Sequence, residues 1–173
     1  MQQDASTARQ VRVLMVCLGN ICRSPSAQGV LEKLIENQGL QHAVQVDSAG
    51  TGDWYIGEAP DSRSVSAAAA RGYEIDHLRA RQVERHDFTR FDYILCMDRS
   101  NLSTVRELCP RAHRSKLQLL MDFGDSSHDT VPDPYYSGAQ GFELVLDLLE
   151  DACDKFLAHL RDEHLDTDPE PAG

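Results

Sequence analysis

Residues 11–37 read VRVLMVCLGNICRSPSAQGVLEKLIEN, and this stretch decides the fold. Residues 11–16 are an apolar run of strand length, rich in β-branched side chains. The part that follows predicts a helix with Ser24 as N-cap and Pro25 at the first helical position. Ala27, Val30, Leu31, Leu34 and Ile35 recur there at helical spacing, and Gly39 ends the pattern. Residues 17–23, CLGNICR, therefore sit where a buried strand gives way to a helix N-terminus. In α/β proteins that is where ligands bind.

Working outward, AVQVDSAG at 43–50 alternates as a second strand. The alanine-rich segment after it predicts a helix with Asp61 as cap and Gly72 as stop. YILCM at 93–97 is a third strand, followed by a helix over residues 99–108, and KLQLLMDF at 116–123 is a fourth strand. The last helix is the clearest. Phe142, Val145, Leu146, Leu149, Ala152, Cys153, Phe156, Leu157 and Leu160 form one stripe, which places Cys153 in the core. Strands alternating with helices imply parallel pairing and right-handed crossovers. The expected architecture is α/β: a single doubly wound domain at 11–161, its four-stranded parallel sheet covered by helices on both faces. Residues 1–10 read as a flexible arm and 162–173 as an acidic flexible tail.

The bulk numbers limit the function. A chain of 173 residues with a net charge of -11 carries no general attraction for nucleic acid or an anionic membrane. Its five cysteines, an odd number without framework spacing, fit a reducing cytoplasm better than a secreted disulfide scaffold. The polar first ten residues hold no secretory segment, and no apolar run reaches the length of a membrane span. Seven histidines show no ligand spacing, so no metal is expected. The nucleotide signatures G-x-x-x-x-G-K-[ST] and G-x-G-x-x-G are absent.

The opening loop has a chemistry of its own. Cys17 faces a helix N-terminus, whose partial positive charge stabilises a thiolate and makes it nucleophilic near neutral pH. Gly19 removes a side chain where backbone must approach a ligand. The N–H groups from Leu18 through Gly19, Asn20, Ile21 and Cys22 to Arg23 can curl into an anion nest. Arg23 supplies a planar fork for two oxygens, Asn20 tolerates left-handed backbone, and Ser24 can donate its hydroxyl to the sulfur. A tetrahedral oxyanion uses all of these parts. A second loop, DTVPDPYYSG, offers Asp133 between Pro132 and Pro134, with Tyr135 and Tyr136 beside it. It follows the fourth strand and should emerge on the same sheet edge.

With VCLGNICRSPSA, VDSAGTGDWYIGEAPD, FDYILCMDRSNL and DPYYSG in order, the chain resembles the low-molecular-weight protein tyrosine phosphatases over residues 11–160. The resemblance implies a metal-independent phosphatase without cofactor, a monomer acting on phosphotyrosine-containing proteins. It assigns Cys17 as nucleophile, Arg23 as phosphoryl-binding group and Asp133 as general acid. The last role requires a protonated carboxyl and so favours mildly acidic conditions. It puts Asn20 and Ser24 at loop-organising positions and Trp54, Tyr135 and Tyr136 on the aromatic walls. It also implies a reversible disulfide between Cys17 and Cys22 under peroxide, and phosphorylation of Tyr135 or Tyr136 is a further expectation. Related protein arginine phosphatases carry threonine where this chain has Ile21. An arsenate reductase would need relay cysteines, for which Cys96 and Cys109 are the available residues. A silent phosphotyrosine-binding module should lack Cys17, Arg23 or Asp133, and all three are present.

Overall fold

The structure, a computed structural model, describes residues 10–165. Four strands form one sheet: β1 (Val11–Cys17), β2 (Val44–Gly50), β3 (Tyr93–Cys96) and β4 (Leu117–Leu119). Their order is β2-β1-β3-β4 and every pair is parallel. The helices are α1 (Arg23–Asn37), α2 (Ser62–Ala70), α3 (Asp87–Arg90), α4 (Arg99–Leu108) and α5 (Ala139–Leu160).

Side-chain alternation along β1 divides the core in two. Val11, Val13, Met15 and Cys17 pack on the face that carries α1 and α5, with Leu31, Leu149, Phe156 and Cys153. Leu14 and Val16 point the other way, against Phe88, Phe91, Val105 and Cys109. Covered on both faces, β1 is apolar at almost every position, as a central parallel strand must be. The expected stripe on α5 is buried from Phe142 to Leu160.

The chain runs from β1 to β2 on one side and then places β3 on the other side of β1. The direction of winding therefore reverses beside β1, which opens a crevice at the carboxyl ends of β1 and β3. The register sets what meets there: Cys17 pairs with Gly50 and Val16 with Cys96.

Three local expectations are corrected. The fourth strand is short, because Leu120–Phe123 form a 3₁₀ turn. A continued strand would put Met121 on the same face as Leu119, whereas the turn sends both Leu120 and Met121 into the α1/α5 layer. An edge strand can end this way because it has only one neighbour to lose. Helix α1 begins at Arg23, so Ser24 is not its N-cap and Pro25 is its third residue. That helix has no side-chain cap, and the Ser24 hydroxyl is engaged elsewhere, as described below. After α5 the chain makes a π turn, Arg161–Leu165, where the Tyr93 hydroxyl meets His164 Nε2 at 2.8 Å. Residues 162–165 of the expected tail therefore have a defined path. The rest of that tail, and the arm before Gln10, lie outside the described residues.

Candidate active site

The floor of the crevice is the loop between β1 and α1. Asn20 takes φ 59°, the left-handed region that turns the chain back over Cys17. That turn aims the Asn20 N–H at Cys17 Sγ (3.3 Å), and the Ser24 N–H in the first turn of α1 reaches the same sulfur (3.4 Å). The Ser24 hydroxyl lies 2.9 Å from it. The N–H groups of Gly19, Ile21, Cys22 and Arg23 make no hydrogen bond to any described residue. Two glycines permit this path. A Cβ on Gly19 would stand 3.0 Å from the Tyr55 ring, and one on Gly50 would stand 2.7 Å from the Leu18 carbonyl oxygen.

Behind the sulfur, a buried polar chain has only one workable polarity. The Val46 carbonyl can only accept, so Gln28 turns Nε2 toward it (3.3 Å) and its Oε1 toward Ser48. The Ser48 hydroxyl donates to that oxygen at 2.7 Å. At the other end the Arg81 N–H can only donate, which fixes Asn20 Oδ1 as its acceptor at 3.0 Å. Asn20 Nδ2 then donates to Ser48 Oγ (3.1 Å) and Ser24 Oγ (2.8 Å). With Asn20 donating to its oxygen, Ser24 keeps its own proton free for a Cys17 thiolate, and a donor on sulfur favours the anion. Arg81 is itself held by Asp47 and by the fully buried Asp87, at 3.0 Å each.

Arg23 is 2% exposed and lies across the floor. Its Nη1 donates to Asp98 Oδ2 (2.6 Å) and to the Val131 carbonyl (3.0 Å). Burial alone would lower the pKa of its guanidinium, but the facing Cys17, Asp98 and Asp133 outweigh burial and hold it raised. Asp98 serves two elements: Oδ1 accepts from Asn101 N in the capping box of α4, and Oδ2 fixes Arg23. Val131 also ties down the second loop, since its N–H donates to the Met97 carbonyl at 2.7 Å. Two residues on, Asp133 Oδ2 stands 3.7 Å from Arg23 Nη2, while Oδ1 accepts from Tyr135 N at 3.0 Å.

A cavity of about 300 Å³ opens over the sulfur. Of the expected site residues, Cys17, Leu18, Gly19, Ile21, Cys22, Arg23, Trp54, Asp133, Tyr135 and Tyr136 line it. Asn20 and Ser24 do not. They sit behind the sulfur and orient it rather than face the cavity. Sequence reasoning missed Asp98, Gln28, Ser48 and Arg81, and also Tyr55, which forms a wall and whose phenol is pushed up to about 12 beside Tyr135. Burial pushes the Cys22 thiol up to about 12. Cys96 and Cys109, the relay residues an arsenate reductase would need, are buried and line no part of the cavity. Among the described residues no group of three or more His, Cys, Asp or Glu side chains is placed to hold a metal ion. No described helix is long and apolar enough to cross a membrane.

Comparison with known proteins gives this geometry a family. Residues 12–166 match the sequence profile of the low molecular weight phosphotyrosine protein phosphatases. The chain belongs to this family. A low molecular weight protein-tyrosine-phosphatase of Streptomyces coelicolor is 42% identical over 159 residues, covering 88% of this chain and 94% of the relative. A solved protein tyrosine phosphatase of Entamoeba histolytica superimposes with a TM-score of 0.87 at 41% identity, covering 90% of this chain and 100% of that one. A Drosophila arginine phosphatase is also similar, with a TM-score of 0.81 at 33% identity over 87% of this chain and 98% of that one.

Proposed function

We propose that this member of the low molecular weight phosphatase family hydrolyses phosphotyrosine through a phosphocysteine on Cys17. The Cys17 thiolate attacks phosphorus in line, forming the S–P bond as the P–O bond to the phenol breaks. Asp133 gives its proton to the departing oxygen. Water then attacks phosphorus and returns a proton to Asp133, the S–P bond breaks, and inorganic phosphate leaves. Arg23 and the loop N–H groups hold the equatorial oxygens, where charge spreads in the transition state. No metal or organic cofactor enters these steps. The carrying observation is the convergence of three donors on Cys17 Sγ, on the floor of a cavity with Arg23 and Asp133. Trp54, Tyr55 and Tyr135 wall that cavity, so a long aryl phosphate reaches the sulfur where phosphoserine is too short. Ile21 adds an apolar branched wall, which suits an aryl group better than phosphoarginine.

The test is turnover of an aryl phosphate by wild type, Cys17→Ser and Asp133→Ala, with radiolabelled substrate quenched in acid. Cys17→Ser should show no turnover. Asp133→Ala should lose about a hundredfold with phosphotyrosine and less with an activated leaving group. Label on any residue other than Cys17, or no adduct at all, would overturn the mechanism.

Two further statements belong to the same reading. Cys22 lines the cavity with Cys17, and after peroxide converts Cys17 to the sulfenic acid, the Cys22 thiol can displace water to form a disulfide. Dithiothreitol should then restore wild type but not Cys22→Ser, and equal recovery would remove this role. The same reading makes the enzyme a monomer, and its five free cysteines fit the reducing cytoplasm. A dimer mass by sedimentation would overturn the monomer.

A further inference from the structure

The rim of the cavity combines apolar side chains with acidic charge, and together these select what stands beside the reacting group. Leu18, Trp54, Ile56 and Tyr136 are 41%, 65%, 57% and 95% exposed. With Leu108 they are the large apolar side chains exposed among the described residues. Leu18, Trp54 and Tyr136 line the mouth, and Ile56 lies on the Trp54 loop. Apolar surface gathered at one place on a soluble protein marks a contact area.

The formal charges carried by the two loops around this surface have one sign. The loop at 51–60 carries exposed Asp53 and Glu58, which have no ion-pair partner among the described residues, and it carries no Lys or Arg. The loop at 124–138 holds Asp125, Asp129 and Asp133, again without Lys or Arg. Most cations nearby are already committed; the exposed Arg79, next to the Ala80 N–H that bonds the Glu58 carbonyl, bonds only the Asp76 and Leu78 carbonyls. Arg99 bonds Asp129 at 3.0 Å, and Arg63 bonds Asp61 at 2.8 Å while its guanidinium lies over the Tyr135 and Phe142 rings. Lys155 bonds Asp151 and Asp125, at 2.8 and 3.5 Å. Arg23, on the floor, is paired with Asp98. The donors that receive a phosphoryl group are thus confined to the floor. Beside the Trp54 loop two unpaired carboxylates, Asp53 and Glu58, stand against one cation without a carboxylate partner among the described residues, Arg79.

We infer that the rim selects phosphotyrosine flanked by lysine or arginine and disfavours phosphotyrosine flanked by aspartate or glutamate. The aliphatic stems of Lys and Arg lie on apolar surface, and their charged ends pair with aromatic faces such as Trp54 and Tyr136. The same ends reach the unpaired carboxylates of Asp53 and Glu58. The net charge of -11 acts in the same direction at longer range. This inference rests on the reading of the cavity as a phosphotyrosine site.

The experiment compares kcat/KM of the full chain on three phosphotyrosine peptides of equal length. They differ only in the two residues on each side of the phosphotyrosine, which are Lys, Ser or Glu. The order Lys, Ser, Glu is expected, spanning roughly five- to twentyfold at low ionic strength and narrowing at high salt. The double variant Asp53→Asn with Glu58→Gln should shrink the span to about twofold, since screened surface charges are all it removes. Turnover of p-nitrophenyl phosphate, which has no flanking residues, should stay at the wild-type value. Equal rates on the three peptides, a preference for Glu, or a span unchanged in the double variant would overturn the inference. Wild type that fails on p-nitrophenyl phosphate itself would overturn the phosphatase reading and this inference with it.

Discussion

The floor and the rim of the cavity are built by opposite means. Cys17, Asn20, Arg23, Ser24 and Ser48 are all at most 5% exposed, and each is fixed by hydrogen bonds to partners on other elements. At the rim, Trp54 and Tyr136 are 65% and 95% exposed, and Asp133 is held mainly by one bond to its own loop. A buried polar group left unpaired costs about 1–3 kcal/mol, so changes at the floor propagate through its network. Changes at the rim affect only what touches them. Stabilisation of charge requires preorganised donors, whereas a surface that meets many polypeptides gains from groups that adapt.

The comparison breaks first at Arg23. Arg23→Lys keeps the charge but loses the fork that spans Asp98, the Val131 carbonyl and the cavity. A kcat on aryl phosphate lower by about two to three orders of magnitude is expected, with KM changed far less. Circular dichroism should match wild type, because Asp98 still caps α4. Retention of more than a tenth of the wild-type kcat would show that point charge, not geometry, is what the floor supplies.

Ser48 tests whether a residue outside the cavity acts through the sulfur. Ser48→Ala removes the oxygen that receives Asn20 Nδ2 and the proton that goes to Gln28. Freed from one anchor, the Asn20 amide holds Ser24 less firmly, and the thiolate loses part of its donor. The pH profile of iodoacetate alkylation should move in the alkaline direction, with about a three- to tenfold lower rate at acidic pH. Ser48→Thr should restore the profile. An unmoved profile in Ser48→Ala would reduce the chain behind Cys17 to packing.

What could be read from sequence follows the same division. The floor loop was legible because its parts are contiguous from Cys17 to Ser24, between a β-branched run and a helix. Asp133 was legible because two prolines frame it on a loop after the last strand. The supporting residues were not, because they come from separate segments that meet only through parallel register: Ser48 on β2, Gln28 on α1, Arg81 in a loop, Asp98 after β3. Asp98 did leave a trace, since D-x-x-N after an apolar strand is a capping pattern at the same sheet edge. Ser24 was misread because a serine before proline looks like a helix cap. Its hydroxyl serves sulfur instead, and the helix starts earlier with its first-turn Ser24 N–H on the same atom. The short β4 could not be read from hydropathy, because every residue from Leu119 to Met121 is apolar whichever layer receives it.

The smallest effect belongs to Trp54, and it sharpens the contrast. The indole stands over Gly52, where an added Cβ would lie only 2.0 Å from a ring carbon, so the ring is positioned by contact with backbone rather than by hydrogen bonds. It lines the cavity but makes no hydrogen bond to the groups that hold the sulfur or Arg23. Trp54→Ala should therefore raise KM for phosphotyrosine peptides by roughly two- to threefold, the worth of one largely exposed aromatic contact. The kcat and the alkylation profile of Cys17 should stay at wild-type values, because an interaction made equally in ground and transition states does not enter kcat. With the ring 65% exposed, Tm should also be unchanged. A fall in kcat matching the rise in KM would mean that the wall orients the substrate during the chemical step, and the separation of floor from rim would fail.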